Sequence, residues 1–164
     1  MPTMTAGKAA PHFKLLSTSG EKFALQEALA KGPVLAAFFK VNCPTCQYTF
    51  PFLERLYQQF RAQGAQVWGI VQNDAADSRR FAKEHGITFP ILVDDHPYAV
   101  SRQYQLKYVP SLFLIGREGQ IACSSEGFVK ADLLEIQKAL AKLLGATTTA
   151  LFLPKERIPE YKPG

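Results

Sequence analysis

The sequence lacks both a long apolar run and a dense cluster of basic residues. No stretch approaches the roughly 18 consecutive apolar residues of a membrane-spanning helix. The 19 lysines and arginines are scattered, so the net charge of +5 indicates a solvated surface rather than a nucleic-acid interface. Residues 1–16 hold no apolar segment of the signal-peptide type. If Met1 is the natural start, these absences predict a cytosolic protein with no membrane span and no nucleic-acid partner; if it is not, an extracytoplasmic location stays open.

Cysteine is scarce, and it occurs only at Cys43, Cys46 and Cys123. Three cysteines are too few for a disulfide scaffold, and the odd number leaves one of them unpaired. A structural zinc site needs a second pair of ligands at a similar spacing, whereas the histidines of this sequence stand alone. We therefore expect neither a metal ion nor a cofactor.

The length and composition are those of one globular domain. The chain has 164 residues, of which 47% are hydrophobic and 20% are charged. We expect a single domain over residues 1–164. Residues 147–164 contain three prolines and no clear periodicity, which indicates a tail, packed or loose, rather than a further domain.

Glycine and proline divide the apolar patterns into short alternating elements. A hairpin is predicted around Ser19–Gly20, and the continuous apolar run over 33–41 predicts a strand buried on both faces of a sheet. The remaining predicted elements are a short helix ended by a left-handed Gly32, a helix over 44–62 with Pro51 inside it and Gly64 after it, a strand over 65–72, a helix over 77–86, a strand over 88–95, a helix over 97–106 with Pro97 in its first turn, a hairpin over 109–125 and a helix over 130–145. This order predicts an α/β fold of three layers, α/β/α, with a mixed central sheet.

Two of the cysteines lie where the buried strand ends and the next helix begins. The first backbone N–H groups of a helix are unpaired and its start carries partial positive charge, so a thiolate at Cys43 is stabilised. Cys46, one turn later, can form a disulfide with Cys43, and Pro44 suits the first turn of the helix. The pattern favours a redox pair in which Cys43 attacks and Cys46 resolves. Two inert structural thiols are the alternative, which fits a strand–helix junction poorly.

A second signal lies late in the chain, where Val109 and Pro110 precede the predicted strand "SLFLI". A proline that opens a strand is also typical of an edge strand, so this signal alone does not decide its role.

Taken together, the apolar strand, the Cys43-Pro44-Thr45-Cys46 motif, Pro51 in the helix and the late Val109-Pro110 resemble the thioredoxin fold. An N-terminal hairpin region over 10–29 and a central insertion over 81–121 resemble its redoxin branch, which holds thiol-disulfide oxidoreductases of the TlpA and ResA type and the AhpC/TSA peroxiredoxins. The resemblance covers about residues 9–144.

This resemblance implies roles for the residues around the dithiol. It implies a cis peptide bond at Pro110, pairing of the Val109 backbone with an incoming substrate segment, and exclusion of metal ions from the thiols by Pro110. Pro44 and Thr45 complete the expected substrate-contact residues. The expected partners are a protein or small-molecule disulfide or thiol, and an electron donor such as a thioredoxin-type reductant.

The sequence departs from the family pattern where a proton acceptor for Cys46 is expected. Thioredoxins usually have a buried Asp in the strand before the dithiol, and this strand reads Ala-Ala-Phe-Phe over 36–39. ResA-like proteins often place a Glu just after the second cysteine, and this chain has Thr49 there. Lys40 either favours a thiolate or, on the preferred interpretation, is a solvated strand end. The group that deprotonates Cys46 stays open.

Disulfide exchange and peroxide reduction are the two activities that the resemblance implies. Peroxiredoxins carry Pro seven residues and Thr three residues before the reactive cysteine, and Ala36 and Lys40 occupy those positions here. The peroxide-activating part is missing while the paired Cys46 is present, which favours a thiol-disulfide oxidoreductase. A peroxiredoxin-type thiol peroxidase is the alternative, because "NCPTCQ" also resembles the peroxidatic stretch of AhpC/TSA proteins.

Two further residues have less direct interpretations. A copper-binding assembly factor of the Sco type shares the resembled fold, and His96 is the candidate third ligand for such a site. The spacing of the two cysteines differs from that family's pattern. Cys123 is expected to be a small strand or core residue, and the alternative is a second resolving thiol or an intermolecular disulfide.

Overall fold

The computed structural model describes residues 3–164, and a seven-stranded sheet forms its centre. The elements in chain order are β1 (Lys14–Ser17), β2 (Lys22–Ala24), α1 (Leu25–Leu29), β3 (Val34–Phe39), α2 (Pro44–Phe60), β4 (Gln66–Val71), α3 (Ala75–His85), β5 (Ile91–Val93), α4 (Ala99–Gln103), β6 (Ser111–Ile115), β7 (Ile121–Glu126), β8 (Phe128–Val129), α5 (Lys130–Leu144) and β9 (Tyr161–Lys162). The strand order in the large sheet is β2-β1-β5-β4-β3-β6-β7, and β8 and β9 form a separate two-stranded ribbon.

The predicted buried strand is the interior strand β3, whose six residues are all buried. It pairs in parallel with β4 and antiparallel with β6. The hairpin of β1 and β2 is antiparallel as predicted, and it extends the sheet through β5. The sheet is therefore mixed, which confirms the predicted fold class.

Alternate residues of β3 point into two hydrophobic clusters, one on each face of the sheet, as strand geometry requires. Leu35, Ala37 and Phe39 pack with α2, α3 and α5 on one face. Val34, Ala36 and Phe38 pack with α1 and α4 on the other face. Each fully buried Leu or Phe side chain contributes about 1.5–3 kcal/mol. Burial on both faces thus fixes β3, and with it the loop that leads to Cys43.

The long helix α2 ends as its sequence predicts. A short 3₁₀ turn (Arg61–Gln63) follows Phe60, and Gly64 then takes the left-handed conformation with φ 99°. Pro51 lies inside the helix. Leu53, Leu56 and Phe60 recur at helical spacing and are wholly buried. This apolar stripe anchors the helix against the sheet and fixes the position of its first turn.

The prediction that Gly32 ends α1 in a left-handed conformation is wrong. The helix ends at Leu29, and Ala30 caps it with helical backbone angles. Gly32 is buried against a different part of the chain, where a Cβ would collide with the carbonyl oxygen of Gly64. Close backbone approach, rather than a positive φ, is therefore what requires glycine at this position.

The prediction that Pro97 lies in the first turn of a helix is also wrong, because α4 begins only at Ala99. The buried carboxylate of Asp94 determines this start. It accepts hydrogen bonds from the backbone N–H groups of Val100 (3.3 Å) and Ser101 (2.8 Å), and from the Ser101 hydroxyl (2.7 Å). These bonds satisfy amides that have no partner within the helix. Pro97 lies in the loop before it.

The tail (residues 147–164) packs along α2 and carries a strand that the sequence did not predict. Arg55 on α2 donates two hydrogen bonds of 2.7 Å to the Glu156 carboxylate and one of 2.9 Å to the Leu151 carbonyl. Leu151 is buried in the core. Farther along, β9 pairs antiparallel with β8. In residues 3–164, no helix is long and apolar enough to cross a membrane.

Candidate active site

Cys43 is the N-cap residue of α2, with extended backbone angles, and its side chain is half-buried. Its sulfur accepts a hydrogen bond from the backbone N–H of Cys46 at 3.1 Å. This amide is one of the donors that a helix start leaves unpaired, and the helix dipole adds partial positive charge at the same point. A helix start with a free amide donor is the kind of position at which proteins place thiols that attack as thiolates.

Side chains from neighbouring elements hold the loop between β3 and Cys43. The Val41 N–H donates to the Asn73 side-chain oxygen at 3.0 Å, and Gln47 donates to the Val41 carbonyl at 2.9 Å. Sequence reasoning missed Asn73 and Gln47. One signal was available for Asn73, because it follows β4 and the carboxyl ends of adjacent parallel strands lie at one edge of the sheet.

Cys46 has the opposite environment, since its side chain is wholly buried. Burial is the main cause that raises the pKa of its thiol far above the ordinary value, and the hydrogen bond with Cys43 raises it further. Contact with the backbone of Lys40 and the charge of that lysine lower the pKa by less. Cys46 is thus held as a neutral thiol, while the Lys40 side chain is exposed to solvent, as its preferred interpretation predicts.

The late proline segment lies beside the dithiol, as the resemblance implies. The Val109–Pro110 peptide bond is cis, and the Cys43 thiol lies 3.5 Å from the Val109 carbonyl oxygen, to which it can donate. Pro110 is buried, and its own carbonyl accepts from the Gly127 N–H at 2.8 Å. The edge-strand alternative is wrong, because β6 pairs with β3 on one side and β7 on the other.

Pro44 and Thr45 form the outer turn of the site. Pro44 is the first residue of α2 and is exposed, and Thr45 is half-buried. The Thr45 hydroxyl donates a 2.6 Å hydrogen bond to the carbonyl of Pro163 in the tail. Thr49 stands where ResA-like proteins often have a Glu. It is buried, and its hydroxyl donates a hydrogen bond to the Thr45 carbonyl at 2.7 Å.

His96 and Cys123 take no part in this site. Within residues 3–164, no three or more His, Cys, Asp or Glu residues are grouped so that they could hold a metal ion. His96 is therefore not brought to the two cysteines, and its exposed ring packs edge-on against Tyr98. Cys123 is half-buried on β7, where burial, followed by the charges of Glu135 and Asp132, raises its pKa. That environment fits a strand residue better than a reactive thiol.

Comparison with known proteins agrees with this geometry. The family model described as the AhpC/TSA family matches residues 6–124. The thiol-disulfide oxidoreductase ResA of Halalkalibacterium halodurans is 29% identical over 131 residues, which span 79% of this chain and 73% of the relative.

Two further relatives represent the two branches that the sequence resembles. A crystal structure assigned as the thiol:disulfide interchange protein DsbE of Chlorobium tepidum superimposes with a TM-score of 0.76 at 26% identity, and the match covers 85% of this chain and 98% of that one. Peroxiredoxin Q of Oryza sativa subsp. japonica is 30% identical over 93 residues, which span 56% of this chain and 42% of the relative.

Proposed function

Since the chain belongs to the AhpC/TSA family, we propose that it is a thiol-disulfide oxidoreductase that works through Cys43 and Cys46. One observation carries the proposal. The Cys43 sulfur accepts the Cys46 N–H at the start of a helix and lies 3.5 Å from the Val109 carbonyl, while the Cys46 thiol is wholly buried. One thiol is thus partly accessible at a helix start, and the second is buried within one helical turn of it.

The exchange has two steps. The Cys43 thiolate attacks one sulfur of a substrate disulfide, a mixed disulfide forms, and the first substrate sulfur leaves as a thiolate that takes up a proton. Cys46 then loses its proton and attacks the Cys43 sulfur, which forms the Cys43–Cys46 disulfide and releases the second substrate thiol. The substrate gains two electrons and two protons, and the dithiol loses them.

The surrounding residues have supporting roles in this proposal. Substrate segments contact Pro44, Thr45 and the Val109 backbone, and Pro110 keeps metal ions from the two thiols. A thioredoxin-type dithiol returns the electrons to the Cys43–Cys46 disulfide. The partners are therefore protein thiols and disulfides, or small molecules of the same chemistry.

Reduction of a protein disulfide tests the proposal directly. The fully reduced protein is mixed with insulin, and the loss of free thiol is followed together with insulin reduction. We expect Cys43→Ser to abolish the reaction and Cys123→Ser, the matched change at a thiol outside the site, to leave it intact. Retained reductase activity in Cys43→Ser would overturn the assignment of the nucleophile.

Peroxide reduction is the second candidate, and the resemblance to peroxiredoxin Q over 93 residues favours it. The environment of Cys43 argues against it, because Ala36 is buried in the opposite hydrophobic cluster and the Lys40 side chain is exposed. Neither residue supplies the hydroxyl that would activate a peroxide. Rapid mixing with hydrogen peroxide separates the two activities. Peroxide consumption that is much faster than insulin reduction would replace the first proposal with the second.

A further inference from the structure

The last four described residues lie across the dithiol. We call Tyr161–Gly164 the strap. Its Pro163 carbonyl accepts a hydrogen bond from the Thr45 hydroxyl at 2.6 Å, so the strap is bonded to one of the two residues between the cysteines. Lys162 lies over the ring of Tyr48, with its ammonium nitrogen 4.8 Å from the ring centre. The strap therefore contacts the first turn of α2 from two successive residues.

Gly164 lies against the other wall of the site. A Cβ on Gly164 would be 2.5 Å from the Val109 carbonyl oxygen and 3.1 Å from the Val109 carbonyl carbon. The same carbonyl oxygen is the group that faces the Cys43 sulfur. The strap thus occupies the space between the Val109 backbone and α2, where an extended substrate segment would have to lie.

The first two residues of the strap form an extended strand beside the site. Tyr161 and Lys162 pair antiparallel with Val129 and Phe128, which follow the buried Gly127. A Cβ on Gly127 would be 2.7 Å from the Lys162 carbonyl oxygen. An extended backbone at this position has the form of a polypeptide substrate that adds a strand beside the site.

Few contacts hold the strap, so it can detach from the site locally. Its ribbon has two residues in each strand, and a two-stranded ribbon of that size is marginal by itself in water. Tyr161 is 60% exposed. Segments with few buried apolar contacts open locally far more readily than the core.

We propose that the strap is a built-in pseudosubstrate that makes the dithiol selective for small disulfides over polypeptide disulfides. Cys43 stays half-exposed beside it, so a small disulfide reaches the sulfur while the strap is bound. A polypeptide must first displace the strap, and its apparent affinity falls by the fraction of molecules in which the strap is open. This inference rests on the proposed thiol-disulfide exchange and adds a selection step to it.

The test compares a polypeptide disulfide with a small one. The rates of reduction of insulin and of 5,5′-dithiobis(2-nitrobenzoate) are measured for the full chain and for a variant that lacks residues 161–164. The Thr45–Pro163 hydrogen bond, the Lys162–Tyr48 cation–π contact and the short pairing with β8 hold the strap closed. We expect these few contacts to favour the closed state about tenfold, so the deletion should raise kcat/KM for insulin by about tenfold. The rate with the small disulfide should stay the same.

A single substitution repeats the test without shortening the chain. Gly164→Ala places a Cβ against the Val109 carbonyl and should also accelerate insulin reduction. Gly116→Ala is the matched control, because a Cβ there would meet its nearest neighbour at an ordinary 3.9 Å. Equal acceleration with both disulfides, or no change with insulin in the deletion variant, would overturn the pseudosubstrate role.

Covalent labelling separates this inference from the proposed function. In a Cys123→Ser background, Cys43 is labelled with iodoacetamide and with a maleimide on a long polyethylene glycol chain, and the label is located by peptide mapping. Loss of the strap should accelerate labelling by the large reagent more than labelling by the small one. This labelling result does not depend on disulfide reduction. If neither disulfide is reduced, only the proposed exchange is contradicted. Equal acceleration with both reagents would contradict the proposal that the strap covers the dithiol.

Discussion

The Cys46 backbone N–H lies 3.1 Å from the Cys43 sulfur, and the Cys46 side chain on the same residue is wholly buried. The main chain of Cys46 therefore donates a hydrogen bond to its neighbour, while burial raises the pKa of its own thiol. The two cysteines have different environments although only two residues separate them. In the proposed exchange, Cys43 therefore acts first and Cys46 second.

Replacement of the buried thiol should stop the exchange after its first step. In Cys46→Ser the backbone amide that bonds the Cys43 sulfur is retained, so the attack by Cys43 should proceed near the wild-type rate. Release from the mixed disulfide should fail, because no second thiol lies within reach. Intact-mass measurement after mixing with a disulfide peptide should show one peptide bound per chain. Continued turnover in this variant would show that another thiol attacks the mixed disulfide. A Cys46→Ser/Cys123→Ser variant would then show whether that thiol is Cys123.

Stability should fall at high pH because of Cys46. Burial raises the pKa of this thiol above its ordinary value of 9.0, so above pH 9 the unfolded chain loses a proton that the folded chain keeps. The stabilising contribution is present below pH 9.0 and is lost as the pH rises above it, at about 1.4 kcal/mol per pH unit for one proton. Urea unfolding of the reduced protein between pH 8 and pH 10 checks this slope. Cys46→Ala should lack that part of the slope, and an unchanged slope would contradict the prediction.

The attachment of the tail should weaken in acid. Hydrogen bonds from Arg55, and then from the Leu153 N–H, lower the pKa of Glu156 from 4.5 to about 2. Because the folded value is the lower one, the contribution is present above pH 4.5 and is lost as the pH falls through about 2. The NMR shift of the Leu153 amide should follow this titration. In Glu156→Gln the shift should no longer depend on pH in that range; a titration that persisted there would assign it to a different carboxyl group.

The packing behind the dithiol helix leaves no room for an added methyl group on β4. A Cβ on Gly69 would be 3.0 Å from the Phe39 ring and 3.3 Å from both Phe50 and Ile91. Gly69→Ala should therefore destabilise the fold by about 1–3 kcal/mol, as overpacking of a core does. Urea denaturation measures the loss, and Gly116→Ala, which meets no such contact, is the control. A Gly69→Ala protein as stable as the control would mean that the ring of Phe39 and its neighbours can shift to admit the methyl group.

Local sequence signals predict the centre of the molecule well. The apolar run that becomes β3, the motif at the start of α2 and the segment before β6 each carry their information within a few residues. Their conformations follow from burial on two faces, a helix start and a proline. The place of Cys43 at the start of a helix was expected on this basis, whereas the cis bond at Pro110 was expected only from the resemblance to the thioredoxin fold.

Features that depend on distant contacts were not predictable. Gly32 is explained by Gly64, and the start of α4 is explained by the buried Asp94. Asn73 supports the dithiol loop from the next strand. The strand β9 is two residues long, and nothing in its own sequence distinguishes it from a loop. In each case the decisive partner lies on another element, where periodicity carries no signal.

The place of β3 inside the sheet, between β4 and β6, also affects how the chain is made. Its Phe38 pairs with Ile70 on one side and with Ser111 on the other, so the second partner leaves the ribosome much later than the first. Pairings so far apart in sequence slow folding, and until they form the apolar faces of β3 stay open to other chains. During that interval Cys43 and Cys46 have been synthesised while Val109 and Pro110 have not. An incomplete chain therefore lacks part of the core that buries Cys46 in the finished protein.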